Sequence, residues 1–138
     1  MTISGARPAR KSGTAGATTR KRLASRKCSP LPAGTRPLSE AVIARWLTQV
    51  RGWRHADGAL RRSFRFADFH QTMAFVNAVA WIAHVEDHHP ELAVSYNRCD
   101  IAWNTHSVGG ISMNDFICAA RVDAMASGAG TPRSTAAR

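Results

Sequence analysis

The chain has 138 residues, of which 44% are hydrophobic and 20% charged, and its formal net charge is +10. This composition is typical of one globular domain, and no apolar run approaches the ~20 residues of a membrane helix, which excludes a membrane-spanning protein. Three cysteines without a CxxC pair argue against a disulfide scaffold and against a cysteine zinc site.

The positive charge lies almost entirely at the N-terminus. Residues 1–36 hold nine of the 19 lysines and arginines and no acidic residue, whereas residues 37–138 have a net charge of +1. Residues 1–36 are also rich in small and polar residues, so they bury too little surface to offset chain entropy. We therefore predict a disordered basic tail at 1–36, one domain at 37–127 and a flexible tail at 128–138.

Three interpretations of the basic tail stay open. It is a solvated segment without a dedicated partner, a transit peptide, or an arm that binds nucleic acid weakly. A cytoplasmic location is expected, with an organelle as the alternative if the tail is a transit peptide.

A helix and a β-hairpin are predicted at the start of the domain. Ser39 is a candidate helix N-cap, and apolar residues recur after it at helical spacing up to Val50. Asp57-Gly58 separates two short extended runs, 53–56 and 59–66. Because a type I′ turn needs a positive φ at both central residues, this dipeptide predicts a hairpin.

A long helix is the next predicted element. Asp68 is a candidate N-cap, and the expected core-facing stripe consists of Phe69, Met73, Val76, Ala80 and Ala83. The helix should end near His88, because Pro90 disfavours the α conformation of the residue before it.

Two strands and a last helix complete the order α-β-β-α-β-β-α. The strands are expected at 93–96 and 99–105, and Ser112 with Asp115 resembles a capping box before the helix. The inward residues of this helix are predicted to be Phe116, Ile117, Ala120 and Ala124. Hairpin connections in this order favour an α+β fold in which helices cover one face of an antiparallel sheet.

Four of the six histidines lie in one short stretch: His84, His88, His89 and His106. His84 and His88 are one helical turn apart and share a face. His106 stands at the end of a predicted strand, before Gly109-Gly110. A strand end and a helix end can meet over one cleft, so these rings are candidates for a shared site.

Three interpretations of the histidines compete. Histidines at i and i+4 can bind a metal, although Glu86 falls on another face and the HExxH order is absent. A structural, hydrogen-bonded set is the second interpretation. The third is acid/base catalysis without a metal, because imidazole, with an unperturbed pKa of ~6.5, can donate or accept a proton at neutral pH.

The residues around these histidines form a set of short motifs: Phe64 to Phe69, Ala74 to Val76, Glu86 to Glu91, Tyr96-Asn97, Thr105-His106, Gly109-Gly110 and Asp115. Together these motifs resemble the signature of the pterin-4a-carbinolamine dehydratase family. The resemblance covers about residues 38–126.

The resemblance implies a four-stranded antiparallel sheet with three helices on one face. It also implies that 4a-hydroxytetrahydropterin loses water to become quinonoid dihydropterin, without a metal or bound cofactor. That substrate is the by-product of aromatic amino acid hydroxylases, so such an enzyme recycles their cofactor. Family members are dimers or tetramers, which implies a homo-oligomer here.

The same resemblance suggests residue roles. His88 and His106 match the acid/base pair, in an order that the sequence leaves open, and His89 matches the histidine that binds and orients the pterin. Four further positions match the substrate pocket: Asp87, Pro90, Thr105 and Ser107.

Two supporting positions are less settled. Asp115 matches a signature aspartate that either orients a histidine or caps the last helix. His84 stands where many relatives carry glutamate, which leaves open whether this position assists a histidine.

The resemblance implies an alternative function as a protein-interaction module. Animal members of the family also act as dimerisation cofactors of a homeodomain transcription factor. A pure binding module has no need of His88, His89 and His106 together, so their joint presence favours the enzyme.

Overall fold

The structure, a computed structural model, describes residues 22–128. Its elements are, in order, α1 (Glu40–Leu47), β1 (Arg54–Ala56), β2 (Ala59–Arg65), α2 (Phe69–Glu86), β3 (Glu91–Ser95), β4 (Arg98–Trp103), a 3-10 turn (His106–Val108) and α3 (Met113–Gly128). Residues 22–25 are also helical, which the sequence did not predict. The α+β class and the predicted element order are confirmed.

The described strands form one antiparallel sheet in the order β1-β2-β4-β3. Side chains alternate across the two central strands, so that Leu60 and Phe64 of β2 are buried beside Ile101 and Trp103 of β4. Helices α2 and α3 pack against this apolar face. The ends of β4, α2 and α3 thereby come close together, and the candidate site lies there.

Local signals predicted the first hairpin and two helix starts correctly. Asp57 and Gly58 have φ values of 51° and 70°, as a type I′ turn requires. The Ser39 hydroxyl accepts a hydrogen bond from the Val42 N–H, and the Asp68 carboxylate accepts one from the Gln71 N–H. Both side chains are therefore N-caps, as predicted.

The buried face of α2 differs from the predicted stripe. Its buried residues are Thr72, Phe75, Val79, Ala83 and Glu86, whereas Phe69 is 51% exposed. Apolar residues occur on most sides of this helix, so spacing alone could not select the inward face. In α3, Ala124 is likewise exposed while Cys118 and Val122 are buried.

No helix within residues 22–128 combines the length and the hydropathy needed to cross a bilayer.

Part of the predicted tail packs against the domain. Leu23 is 1% exposed and belongs to the hydrophobic core, and Cys28 contacts α2 and α3. Residues 22–36 thus differ from the disordered segment expected from composition, because their partners lie far away in sequence. The predictions for residues 1–21 and 129–138 fall outside the described residues.

Candidate active site

The end of α2 fixes the backbone at His88. Asp87 has a left-handed conformation with a φ of 48°. The Asp87 N–H donates to the His84 carbonyl at 3.3 Å, and the His88 N–H donates to the Ala83 carbonyl at 3.1 Å. This pair of bonds is a Schellman motif, in which aspartate here takes the position usually held by glycine. The helix therefore ends at Glu86, near the predicted place, and His88 follows the Asp87 cap.

Asp115, which is fully buried, joins His88 to the end of β4. Its Oδ1 lies 2.6 Å from His88 Nε2. Its Oδ2 accepts hydrogen bonds from the Thr105 hydroxyl at 2.7 Å and from the Ser112 N–H at 2.8 Å. The bond to Ser112 is half of a capping box. Asp115 therefore stabilises the N-terminus of α3 and contacts a histidine at the same time.

The contact with Asp115 constrains the tautomer of His88. An ionised carboxylate can only accept hydrogen bonds, so Nε2 carries the proton. Among residues 22–128, the other ring nitrogen, Nδ1, has no protein partner. His88 thus presents one ring nitrogen that is free to exchange a proton with a bound molecule.

Two more side chains hold this network in place. The Thr105 hydroxyl already donates to Asp115, so the Ser112 hydroxyl donates to Thr105 Oγ1 across 2.6 Å. The Trp103 ring stacks on His88, with centroids 5.5 Å apart and planes 15° apart. Trp103 was not predicted as a site residue, although its place two residues before Thr105, on the same predicted strand, was a usable signal.

A cleft of about 370 Å³ lies beside this network. Asp87, His88, Thr105 and Ser107 all line it, so the structure brings together four of the predicted pocket residues. Its volume falls within the range of small-molecule sites.

The other predicted residues do not line this cleft. His106 is exposed, but it lies between Thr105 and Ser107, which puts it at the edge. His89 is exposed and directly follows His88, and Pro90 is half-buried. The His84 ring is exposed on α2, 5.7 Å from the Trp81 ring.

The metal interpretation has no support from donor geometry. No three His, Cys, Asp or Glu side chains of residues 22–128 are grouped as ligands.

One wall of the cleft comes from residues that sequence reasoning missed. Cys28, Ser29, Pro30 and Leu31 line it together with Asn114 of α3. Residues 26–31 are called the strap below. Their composition resembles that of a disordered tail, and their position is set by side chains of α2 and α3.

The three thiols differ in environment, which predicts their reactivity. Cys28 Sγ lies 3.6 Å from Cys118 Sγ. Hydrogen bonding to Cys28, followed by burial, raises the pKa of Cys118. Burial, followed by the nearby Asp100 charge, raises the pKa of Cys99 to about 11. Because the thiolate is the reactive form, both buried thiols should resist alkylation near neutral pH.

We expect iodoacetamide to modify the half-buried Cys28 first in the folded protein. Peptide mass spectrometry of a quenched time course measures the order, and the urea-unfolded chain, in which all three thiols should react, is the control. Modification of Cys99 should become appreciable only as the pH rises toward its raised pKa. Equal rates for Cys28 and Cys118 in the folded protein would contradict this order.

Comparisons with known proteins converge on one family. A family model described as pterin 4 alpha carbinolamine dehydratase matches residues 36–125. A relative from Nitrosospira multiformis, named "Putative pterin-4-alpha-carbinolamine dehydratase", is 48% identical over 103 residues, which cover 75% of this chain and 91% of that protein. A relative of the same name from Stenotrophomonas maltophilia is 52% identical over 105 residues, covering 75% and 90% of the two chains.

A solved structure agrees with these relatives. The chain resembles the transcriptional coactivator/pterin dehydratase of Brucella melitensis with a TM-score of 0.63 and 35% identity, covering 66% of this chain and 99% of that one. The segment matched by the family model contains the whole His88–Asp115 network and begins after the strap.

Proposed function

Because the chain belongs to the pterin-4-alpha-carbinolamine dehydratase family, we propose that it is a dehydratase acting on 4a-hydroxytetrahydropterin. Its products are quinonoid dihydropterin and water. The observation that carries this proposal is the contact between His88 and the buried Asp115 beside a cleft of small-molecule size. The reaction recycles the cofactor of an aromatic amino acid hydroxylase, and we expect it to take place in the cytoplasm.

The reaction is an elimination that needs two proton transfers. The ring nitrogen next to the carbinol carbon supplies electrons as the hydroxyl group leaves. A general acid protonates that hydroxyl group, and a general base removes the proton of the ring nitrogen. Positioned groups of this kind commonly contribute ~10²–10⁴-fold each.

His88 suits one of these transfers. Asp115 accepts a hydrogen bond from the Nε2–H of His88, which orients the ring and leaves Nδ1 for the substrate. His106, at the edge of the same cleft, is the proposed partner in acid/base catalysis. His89 is proposed to bind and orient the pterin.

The proposed binding residues surround this pair. Asp87, Thr105 and Ser107 line the cleft, and Pro90 is placed in the pocket by family resemblance. His84 is exposed on α2 and does not line the cleft, so we propose no direct contact with substrate for it.

A stopped-flow assay of carbinolamine dehydration tests the proposed activity. Purified full-length chain should accelerate the disappearance of the 4a-hydroxy species well beyond its spontaneous rate. A rate equal to the uncatalysed one, with a correctly folded chain, would reject the dehydratase proposal.

A protein-interaction role is the second candidate. It is favoured by the Brucella melitensis relative, whose name joins a transcriptional coactivator to a pterin dehydratase. This role predicts a partner that binds equally well to the wild type and to a His88→Ala variant, because it does not need the histidines.

We also propose that the chain forms a homo-oligomer. Exposed large hydrophobic side chains lie on α2, at Phe69, Trp81 and Val85, and beside the edge strand β3, at Val94 and Tyr96. Trp81 and Val85 are one helical turn apart, so they adjoin each other on α2, and an apolar patch of this kind marks a contact surface. Trp81, which is 66% exposed, is the largest of these side chains.

Replacing Trp81 by aspartate should lower the molar mass in solution, because a charge in an apolar contact is not tolerated. Light scattering after size exclusion measures the mass, and Val94→Lys tests the alternative contact through β3. Unchanged mass in the Trp81 variant, or a wild type that runs at 15.0 kDa, contradicts a contact through α2.

A further inference from the structure

The strap occupies a position that is unusual for a tail. Cys28, Ser29, Pro30 and Leu31 line the same cleft as His88, Thr105 and Ser107. One wall of the cleft carries the proton-transfer groups, and the strap supplies another. The strap precedes the segment matched by the family model, so nothing in that match gives it a role.

Side chains of the domain hold the backbone of the strap. The Cys28 N–H donates to Glu86 Oε2 at 2.7 Å. Asn114 binds both backbone groups of Ser29, accepting from its N–H at 3.1 Å and donating to its carbonyl at 2.9 Å. This two-way contact resembles the pairing of a strand edge, so the cleft-lining part of the strap has a defined position.

Arg121 provides an anchor at the start of the strap. Its Nη2 donates to the Arg26 carbonyl at 2.6 Å. The same nitrogen lies 3.1 Å from Oε1 of the buried Glu86, close enough for an ion pair although the angle is not that of a hydrogen bond. Glu86 therefore links two anchors of the strap, at Arg26 and at Cys28.

We propose that the strap is a substrate-binding wall that sets the affinity for the pterin. This inference rests on the proposed dehydratase function. Pro30 and Leu31 give the cleft an apolar surface that a flat heteroaromatic ring can contact. Within residues 22–128, no strap residue hydrogen-bonds to His88 or Asp115. The strap therefore acts on binding, and the proton transfers remain with the histidines.

Leu31→Ala in the full-length chain tests this role. Its KM should rise by about fivefold or more, while kcat stays within about twofold, because the lost contact is made in both the ground state and the transition state. The matched control is Lys27→Ala, an exposed strap residue that does not line the cleft. The control should leave both constants unchanged.

Two further measurements separate binding from folding. Thermal melts of Leu31→Ala and wild type should agree closely, since Leu31 is only half-buried. Trypsin cleavage after Lys27 should slow when a stable dihydropterin occupies the cleft, which reports contact with the strap without turnover.

The outcomes distinguish the two proposals. An unchanged KM for Leu31→Ala, together with no protection of Lys27 from trypsin, overturns the role of the strap. The dehydratase function still stands in that case if the His88→Ala variant is inactive. A wild type that neither dehydrates the carbinolamine nor binds dihydropterin overturns both. A fall in kcat alone would place the strap in the chemical step and also overturn the proposal.

Discussion

Replacing His88 by alanine is expected to lower the rate of carbinolamine dehydration by about two orders of magnitude or more. His88 lines the cleft, and Asp115 holds its ring through Nε2 at 2.6 Å. Alanine removes the ring together with its contacts to Asp115 and Trp103. Stopped-flow traces under single-turnover conditions measure the chemical step directly.

His106→Ala is the companion variant, because one imidazole must give a proton and another must take one. A loss of comparable size is expected if His106 is the second group. The control is His70→Ala, which removes an exposed histidine at the start of α2. Rates that remain at the wild-type level in both the His88 and the His106 variants would refute the catalytic assignment.

Asp115→Ala is expected to lower the stability of the fold strongly. The carboxylate is fully buried and accepts hydrogen bonds from Thr105 and Ser112 besides contacting His88. Removing one partner of a buried polar network leaves the others unpaired, at a cost of roughly 3–5 kcal/mol in the free energy of unfolding. Urea denaturation monitored by tryptophan fluorescence measures the change.

Two further variants separate the structural and positioning roles of Asp115. Asp68→Ala removes a helix cap that contacts no histidine, so it should cost only ~1 kcal/mol. Asp115→Asn keeps the shape and can still accept from Ser112, but its amide can donate to His88 and favour the other tautomer. It should retain most of the stability and lose most of the activity. An active Asp115→Asn enzyme would show that Asp115 is a cap and no more.

Those parts of the fold that depend on neighbouring residues could be predicted from the sequence. The hairpin at Asp57-Gly58 and the caps at Ser39 and Asp68 need only a few adjacent residues, and all three are confirmed. The inward face of α2 needed knowledge of what packs on it. With apolar residues on most sides, the sequence offered several equivalent stripes, and the predicted one was wrong at Phe69.

At the site, too, single residues could be selected from the sequence, but the contacts between distant residues could not be predicted. His88, Thr105 and Asp115 were selected from the sequence, but only the structure shows that one carboxylate bonds to the other two residues. The sequence could not decide whether Asp115 caps α3 or contacts a histidine, because its carboxylate does both in the structure. The strap was missed because its order comes from Glu86, Asn114 and Arg121, which lie 58 to 95 residues further along the chain.

The His88–Asp115–Thr105 network has a consequence for how the molecule forms. Its longest contact joins His88, at the end of α2, to Asp115, at the start of α3, so this contact can form only after the two helices have docked. Contacts between such distant segments form late, because loop closure must precede them. Recovery of the proposed dehydratase activity by a refolding chain would therefore report the docking of α2 against α3, and species without this contact would show no activity.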